Sequence, residues 1–399
     1  MTTTVENGCP FHDNVDRRKS AKVAEQHNHC EEGSHWVDKA SVARKILCSK
    51  HARQAGASAE MLEYKNPEHA PVFFLDGKDH FNKRRKSQRF LSPKAVNDQH
   101  YKVMESVTKR LLDELQQNGS AKLEDISFQL AVEVVGEILG LTESNQQGKV
   151  RRIQWVLHSS ISQAKNNMLS RAWLNAKRVF FTGLFFWFDV RPAIKARKKS
   201  PKDDAISTYI QEDYGNTAII IECLTYGTAG MLTTREFIIM CAWYMLESPE
   251  LAKEFLEGDS KKQLAILMEI LRLEPIAAKV MRRVNDEVEG VEDQPLPPGE
   301  RYEIDIRNVN LDEEFVGECP FAIDPERATK QKDTGRFYSF GDGPHGCPGW
   351  QVALHETRIF LTHFLQVPGI KLDREPDITW NDMLNGYELR NAMISCDKV

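Results

Sequence analysis

Apolar residues recur at three- and four-residue intervals through most of the chain, the spacing that gathers them on one face of an α-helix. The pattern predicts helices over Tyr101–Gln117 and Leu123–Leu141. A longer one, Thr217–Leu246, is mostly apolar and is therefore expected to run through the core. Ser248-Pro249 restarts a helix over Pro249–Leu256, and Lys261–Leu273 forms another that Pro275 ends. Strand signals are confined to Val288–Ile306, where Pro295, Pro297, Pro298 and Gly299 separate short alternating segments as in a hairpin, and to a second pair flanking Asn385-Gly386. Strands do not alternate with helices and no glycine-rich nucleotide loop is present, which argues against a doubly wound sheet. The fold class expected is mainly α with a small β part.

Composition narrows the function classes. With 399 residues, 41% of them hydrophobic, the chain can bury a substantial core. Lys and Arg number 53 against 58 Asp and Glu, a formal net charge of −5 that gives no global case for nucleic-acid binding. The longest apolar stretches, Val179–Val190 and Phe237–Leu246, fall well short of the ~20 residues of a membrane span. Residues 1–33 are polar and aperiodic and are expected to be a mobile tail, without a signal-peptide core. Cys9-Pro10-Phe11-His12 and His27-Asn28-His29-Cys30 are metal-ligand types in that tail, but irregular spacing favours a solvated segment over a zinc site. Eight scattered cysteines without a CxxC suit a reducing, cytoplasmic compartment.

The segment richest in chemistry is Phe340-Gly341-Asp342-Gly343-Pro344-His345-Gly346-Cys347-Pro348-Gly349. Its glycines permit tight turns and close backbone approach to a planar ligand. Cys347 stands where a helix begins, with Pro348 at a position where a missing N–H costs nothing. Backbone amides and the helix dipole there favour a thiolate.

This stretch resembles the haem-binding signature of the cytochrome P-450 family, F-G-x-G-x-H-x-C-x-G, at every fixed position. The resemblance implies a single mostly helical domain over residues 34–399 that encloses haem b, with Cys347 as axial ligand of the iron. It implies further cofactor contacts from Phe340, Gly341 and Gly349, and makes His345 a partner for a haem propionate. His80 and Arg84, spaced four apart after Asp76, and Arg282 resemble the family's other propionate-binding positions. Glu269-Ile270-Leu271-Arg272 fits the family's E-x-x-R, whose spacing puts both side chains on one helix face, and Arg327 resembles the third member of that structural network. Ala229-Gly230-Met231-Leu232-Thr233-Thr234 resembles the oxygen-activating segment, in which the small Ala229-Gly230 pair leaves room for dioxygen and Thr233, with Thr234 beside it, supplies a hydroxyl.

Leu232 departs from the family, which normally carries an acid there. The activity implied is O2-dependent monooxygenation of a small, largely apolar organic molecule, free or carrier-bound. A non-hydroxylating haem-thiolate reaction (oxidative coupling, isomerisation or peroxide-driven turnover) is the alternative motivated by Leu232, and a haem ligand-binding protein without turnover is a third. Electrons are expected from a separate ferredoxin or flavodoxin and its NAD(P)H reductase, since no reductase domain follows residue 399.

Family geometry places substrate contacts at the loop after residue 53, the 160–190 region, the upper part of the long helix, and Pro275–Val280 with Ala277. Helical spacing puts 222, 226, 229 and 233 on one face, so Glu222 and Tyr226 are candidates to face the cavity, against a salt bridge from Glu222 to a neighbouring helix. Lys279 is a candidate anion anchor. The phenylalanines of Val179–Val190 belong to the expected lid, where packing is the expectation for most of the rings. Lys83, Arg84, Arg85, Lys86 and Arg89 crowd one helix, which suits docking of an acidic redox partner or simply a solvated face.

Overall fold

The computed structural model describes residues 16–27, 29–56, 69–161, 167–285, 288–291, 294–327, 337–382 and 384–399. By their internal packing the residues fall into two compact units, each assembled from separate stretches of sequence.

The first unit holds residues 1–58, 253–347 and 378–388. Its centre is a four-stranded sheet of β1 (Ser34–Val37), β2 (Ala52–Ala55), β3 (Lys279–Val284) and β4 (Arg301–Asp305) in the order β1-β4-β3-β2. β1 runs parallel to β4 and the other pairs are antiparallel. Ile304, Val284 and Tyr302 from this sheet pack against Ile46 and Leu47 of the helix Ala40–Cys48, an apolar cluster whose burial anchors the unit. The hairpin expected around Pro295–Gly299 is corrected: Val288–Val291 pairs with Gln294–Leu296, which contains Pro295, and the segment after Gly299 pairs with β1 and β3 instead. Strands Asp377–Asn381 and Gly386–Arg390 form the second expected pair. The helix Ser260–Leu273 starts on an Asp259 side chain that accepts from the Lys262 amide.

Two further expectations are corrected here. From Asp16 onward the N-terminal segment is anchored rather than loose: Ala21–His27 is helical, Arg18 donates to the Arg307 carbonyl at 3.0 Å, and Ser20 is buried against Glu274. His27 stacks on Trp380 and the Cys30 thiol donates to the Ser34 carbonyl, so both serve packing; Cys9 to His12 lie outside the described residues. Cys319 is disulfide-bonded, against the expectation of unpaired thiols, and nothing in its sequence spacing signals this.

The second unit comprises residues 59–252, 348–377 and 389–399. Its helices include Gly77–Gln88, Tyr101–Asn118, Leu123–Leu139, Gln146–Ile161, Met168–Phe185, Asn216–Tyr226, Thr233–Glu247 and Trp350–Phe364. The strand Met393–Ser395 sits between Ser120–Lys122 and Lys371–Arg374 in a small antiparallel sheet. Among the described residues no helix is long and apolar enough to cross a membrane.

Glu356, on Trp350–Phe364, is buried with neither carboxylate oxygen hydrogen-bonded among the described residues. Burial raises its pKa from 4.5 to about 8. The folded chain therefore keeps a proton that the unfolded chain has lost, and the stability this confers is full below pH about 4 and lost as pH rises through about 8. Glu356→Gln should raise the unfolding free energy near pH 9 by about 1–3 kcal/mol and flatten its fall between neutral and alkaline pH. Urea unfolding across that range checks this, and identical curves for the two proteins would refute it.

Candidate active site

The cysteine loop is built by its own backbone. Tyr338–Phe340 and Gly343–His345 each form a tight turn; Asp342 accepts from the Gly343 amide at 2.8 Å, and the Gly346 amide donates to the Gly343 carbonyl at 3.1 Å. The Cys347 amide then donates to the Phe340 carbonyl at 2.7 Å, closing a loop that holds a half-buried cysteine three residues before the helix Trp350–Phe364. Gly343 has φ +64°, and a Cβ there would stand 2.8 Å from the Cys48 Cα and closer still to the Leu47 carbonyl oxygen. Only glycine satisfies both the left-handed backbone and this close approach. Gly343→Ala should therefore displace the loop and lower haem retention at least several-fold, read as haem per protein after purification; full retention would contradict it.

Glu269 and Arg272 meet as the three-residue spacing requires: Arg272 Nε and Nη2 donate to the two Glu269 oxygens at 2.9 and 3.0 Å. Arg327 Nε donates to the same carboxylate at 3.2 Å, and the Asp324 amide adds a fourth bond at 2.9 Å. Arg272 also donates to the carbonyls of Asn310, Pro320 and Ala322. Sequence reasoning missed Asn310. Its fully buried side chain donates to the Arg272 carbonyl and to Ser339 Oγ, and accepts from the Tyr338 amide at 2.9 Å, tying the ion-pair network to the base of the cysteine loop. An isolated asparagine between apolar residues carries no periodic or motif signal that could have marked it.

The long helix is not one regular α-helix. Between Asn216–Tyr226 and Thr233–Glu247 the backbone of Gly227–Leu232 takes the wider π form. At this break Ala229 is exposed and Thr233 partly so, in a run where Met231, Leu232, Thr234, Arg235 and Glu236 are buried. Thr233 donates its hydroxyl to the Ala229 carbonyl at 2.7 Å. A Cβ on Gly230 would lie 3.3 Å from Val135, so this glycine also allows the helix Leu123–Leu139 to pack closely. The nearest downstream acid, Glu236, is held by Arg235, Arg390 and the Leu389 amide.

Of the two readings of Glu222, the salt bridge to a neighbouring helix is the one present. An extra residue in the π turn breaks the 3.6-residue register, and Glu222 does not share the environment of Ala229 and Thr233. It is buried in an ion pair with Lys83 at 2.7 Å, with the Tyr209 hydroxyl donating to it at 3.2 Å. Burial still pushes this carboxyl above its ordinary range, Lys83 pulling the other way. Tyr226 is engaged with Ser87 and Tyr209. Lys279 is likewise spoken for: it pairs with Glu303 at 3.4 Å, donates to the His29 carbonyl at 3.2 Å and lies over Trp36. Ala277 is partly buried, bridged to Gly386. Packing is the expectation for most rings of Val179–Val190; of the six, Phe185 is buried, Phe181 and Phe186 are half-buried, and Phe180, Trp187 and Phe188 are exposed.

The basic run on Gly77–Gln88 and the residue after it is largely neutralised from within. Besides Lys83, Lys86 pairs with Glu212 at 2.8 Å and lies over Tyr214, and Arg89 donates to Thr208 at 2.6 Å. Arg85 stays exposed and Arg84 half-buried, which leaves little of the expected docking patch. His80 is buried on the same helix. In the other unit Arg282 is buried on β3, donating to the Met281 carbonyl at 2.8 Å, and His345 is half-buried on the cysteine loop.

The donor chemistry fits haem. A thiol is a soft ligand for iron, and buried arginine and histidine side chains are the groups that carboxylates in an apolar site require. The cysteine loop and the segment at the helix break are the two features that the haem-binding resemblance anticipates. The cytochrome P450 family model matches residues 264–383. The chain is 26% identical over 263 residues to cyclomarin C epoxidase CymV of Salinispora arenicola, an alignment covering 62% of each chain, so it spans less than two thirds of that relative. Its fold matches substrate-free CYP109E1 of Bacillus megaterium with TM-score 0.75 at 17% identity, over 95% of this chain and 98% of that one. It also matches P450BioI, solved with a hexadec-9Z-enoic acid ligated acyl carrier protein, with TM-score 0.73 at 18% identity over 94% and 97% of the two chains. The chain thus matches the cytochrome P450 family model over residues 264–383 and has the fold of solved cytochromes P450, a family whose cofactor is haem b and whose co-substrate is O2.

Proposed function

We propose that the protein is a monooxygenase that inserts one oxygen atom of O2 into a small, largely apolar organic molecule. The observation that carries this reading is the pair of built features above: Cys347 held by its amide on the Phe340 carbonyl, and Thr233 partly exposed where the long helix widens. Haem, when bound, supplies the oxygen activation. The chain's own part is to present Cys347 as thiolate ligand, to offer Arg282, His345, His80 and Arg84 to the propionates, and to hold or pass a proton at Thr233 Oγ1. Phe340, Gly341 and Gly349 shape the surroundings of the ligand. Electrons come from a separate ferredoxin or flavodoxin with its NAD(P)H reductase in the cytoplasm.

Leu232 supports a second reading. It is buried in the position of the usual acid, and Glu236 is fully engaged, so proton supply beside Thr233 rests on hydroxyls. Reactions that need less proton delivery, such as oxidative coupling or peroxide-driven oxidation, suit that arrangement.

Titrating the ferric holoprotein with lipophilic, aromatic, peptide-like and acyl-carrier-bound compounds tests the substrate class through the shift of its haem spectrum. With a shifting compound in hand, Thr233→Ala should lower product formed per NAD(P)H consumed by about 10-fold or more. Unchanged product per NAD(P)H, together with equal turnover on peroxide alone, would favour the second reading.

A further inference from the structure

The helix Ser260–Leu273, which carries Glu269 and Arg272, is joined to β3 by a short link, Glu274–Ala278. From Ile266 to Lys279 every residue is buried except Ala277, which keeps open surface. A link with no strand or helix of its own needs support for its backbone from elsewhere. On one side it leans on the turn Asn385-Gly386: the Ala278 and Lys279 amides donate to the Asn385 carbonyl at 2.8 and 3.2 Å, and Ala277 bridges Gly386. A Cβ on Gly386 would run into the Ile276 carbonyl, so this contact is as close as backbones allow.

The N-terminal segment holds the link at both ends. At the first, the fully buried Glu274 carboxylate accepts from the amides of Lys19 and Ser20 and from the Ser20 hydroxyl. Ser20 Oγ accepts in turn from Arg307, while Asp16 holds Arg18, whose Nη1 donates to the Arg307 carbonyl at 3.0 Å. At the second end Lys279 donates to the His29 carbonyl at 3.2 Å. Between the two, His27 stacks on Trp380 with ring centres 4.8 Å apart and planes 10° from parallel, which ties the same segment to the strand Asp377–Asn381. Support of this kind depends on individual bonds. A buried carboxylate that loses one donor is left with an unmet lone pair, whereas an apolar contact merely thins.

We infer that this strap, Asp16–His27 with His29 beyond it, is a specificity device: by holding Glu274 and Lys279 it fixes where Ala277 stands, and so which molecules fit beside the haem. The inference rests on the reading of the haem site given above, with Pro275–Val280 at its border. Ser20 is a positioning residue in this scheme, acting through Glu274 on the link.

Hydrogen exchange and azole binding, both on the ferric holoprotein, test it together. Ser20→Ala removes a hydrogen bond to a charged group, so exchange at Ala278 and Lys279 should quicken by about tenfold or more. The Val284 amide, held by the Glu300 carbonyl at 3.0 Å at the far end of β3, should not change. Imidazole can bind haem iron without reaching the cavity walls, whereas 4-phenylimidazole must fit its ring against them. Ser20→Ala should leave the imidazole dissociation constant within about twofold and tighten 4-phenylimidazole by about threefold or more, because a wall that yields costs the ring less to displace. His27→Ala, a milder change at a partly exposed site, should move both readouts the same way by less. Exchange that quickens while the ratio of the two affinities stays put would overturn the inference, since a strap that only stabilises the fold behaves in that way. So would unchanged exchange in both variants. A wild-type spectrum that imidazole does not shift would remove the haem reading itself, and the inference with it.

Discussion

Cys347→Ser should yield a folded protein whose haem, if retained, has lost its thiolate-type spectrum and whose oxidation of any identified substrate falls by more than about 100-fold. Substitutions one shell beyond a metal ligand already cost 10–100-fold, and this one removes the ligand. The fold should tolerate the change because the bond that closes the loop uses the backbone amide of residue 347, not its side chain. Cys223 and Cys241 are fully buried and do not replace it, and burial with Asp342 nearby pushes the exposed-side Cys48 up to about 11, leaving it a protonated thiol at neutral pH. The carbon monoxide difference spectrum of the reduced protein is the direct readout. A thiolate-type band that survives in Cys347→Ser would remove the basis of the functional reading.

Glu269→Ala should destabilise the protein by about 3–5 kcal/mol, the largest stability loss expected of any single substitution considered, because it strands two arginines that were taken out of water together. Arg272 has no exposed side-chain surface, and burial already pulls its pKa below the usual range with only Glu269 opposing. Glu269→Gln keeps the shape but not the charge and should lose less, since the carbonyl oxygens of Asn310, Pro320 and Ala322 still receive Arg272. The link through Asn310 to Tyr338 and Ser339 predicts that the loss is felt at the cysteine loop, so haem release should begin at lower urea than loss of helical signal in the Ala variant. Coincident transitions with a change below about 1 kcal/mol would show that the network does not carry this load.

The helices were legible wherever an apolar face repeated over three turns or more and a proline or polar break marked the end. Leu123–Leu139, Pro249–Glu257 and Ser260–Leu273 differ from expectation by two residues or fewer at either end. The central sheet was not legible, because β1 and β2 are four residues long and pair with strands more than 200 positions away, leaving no local periodicity to read. The ion-pair motif and the cysteine loop were visible because local spacing determines them. Lys83 with Glu222 and Lys279 with Glu303 were not, since each cation found its acid on a distant element. Charges read as available for substrates or partners were instead used up by packing, which a linear sequence cannot display.

The π turn at Gly227–Leu232 gives the long helix a position where its length is negotiable. A π turn accommodates one residue more than the α turn it replaces, so removing a single residue there can restore a regular helix with both ends still in place. Elsewhere in Thr233–Glu247, a one-residue deletion would turn every following side chain by about 100° away from its neighbours. Among related sequences, changes in the length of this helix should therefore gather at 227–232, and alignments that forbid gaps inside helices will misplace the threonine by one.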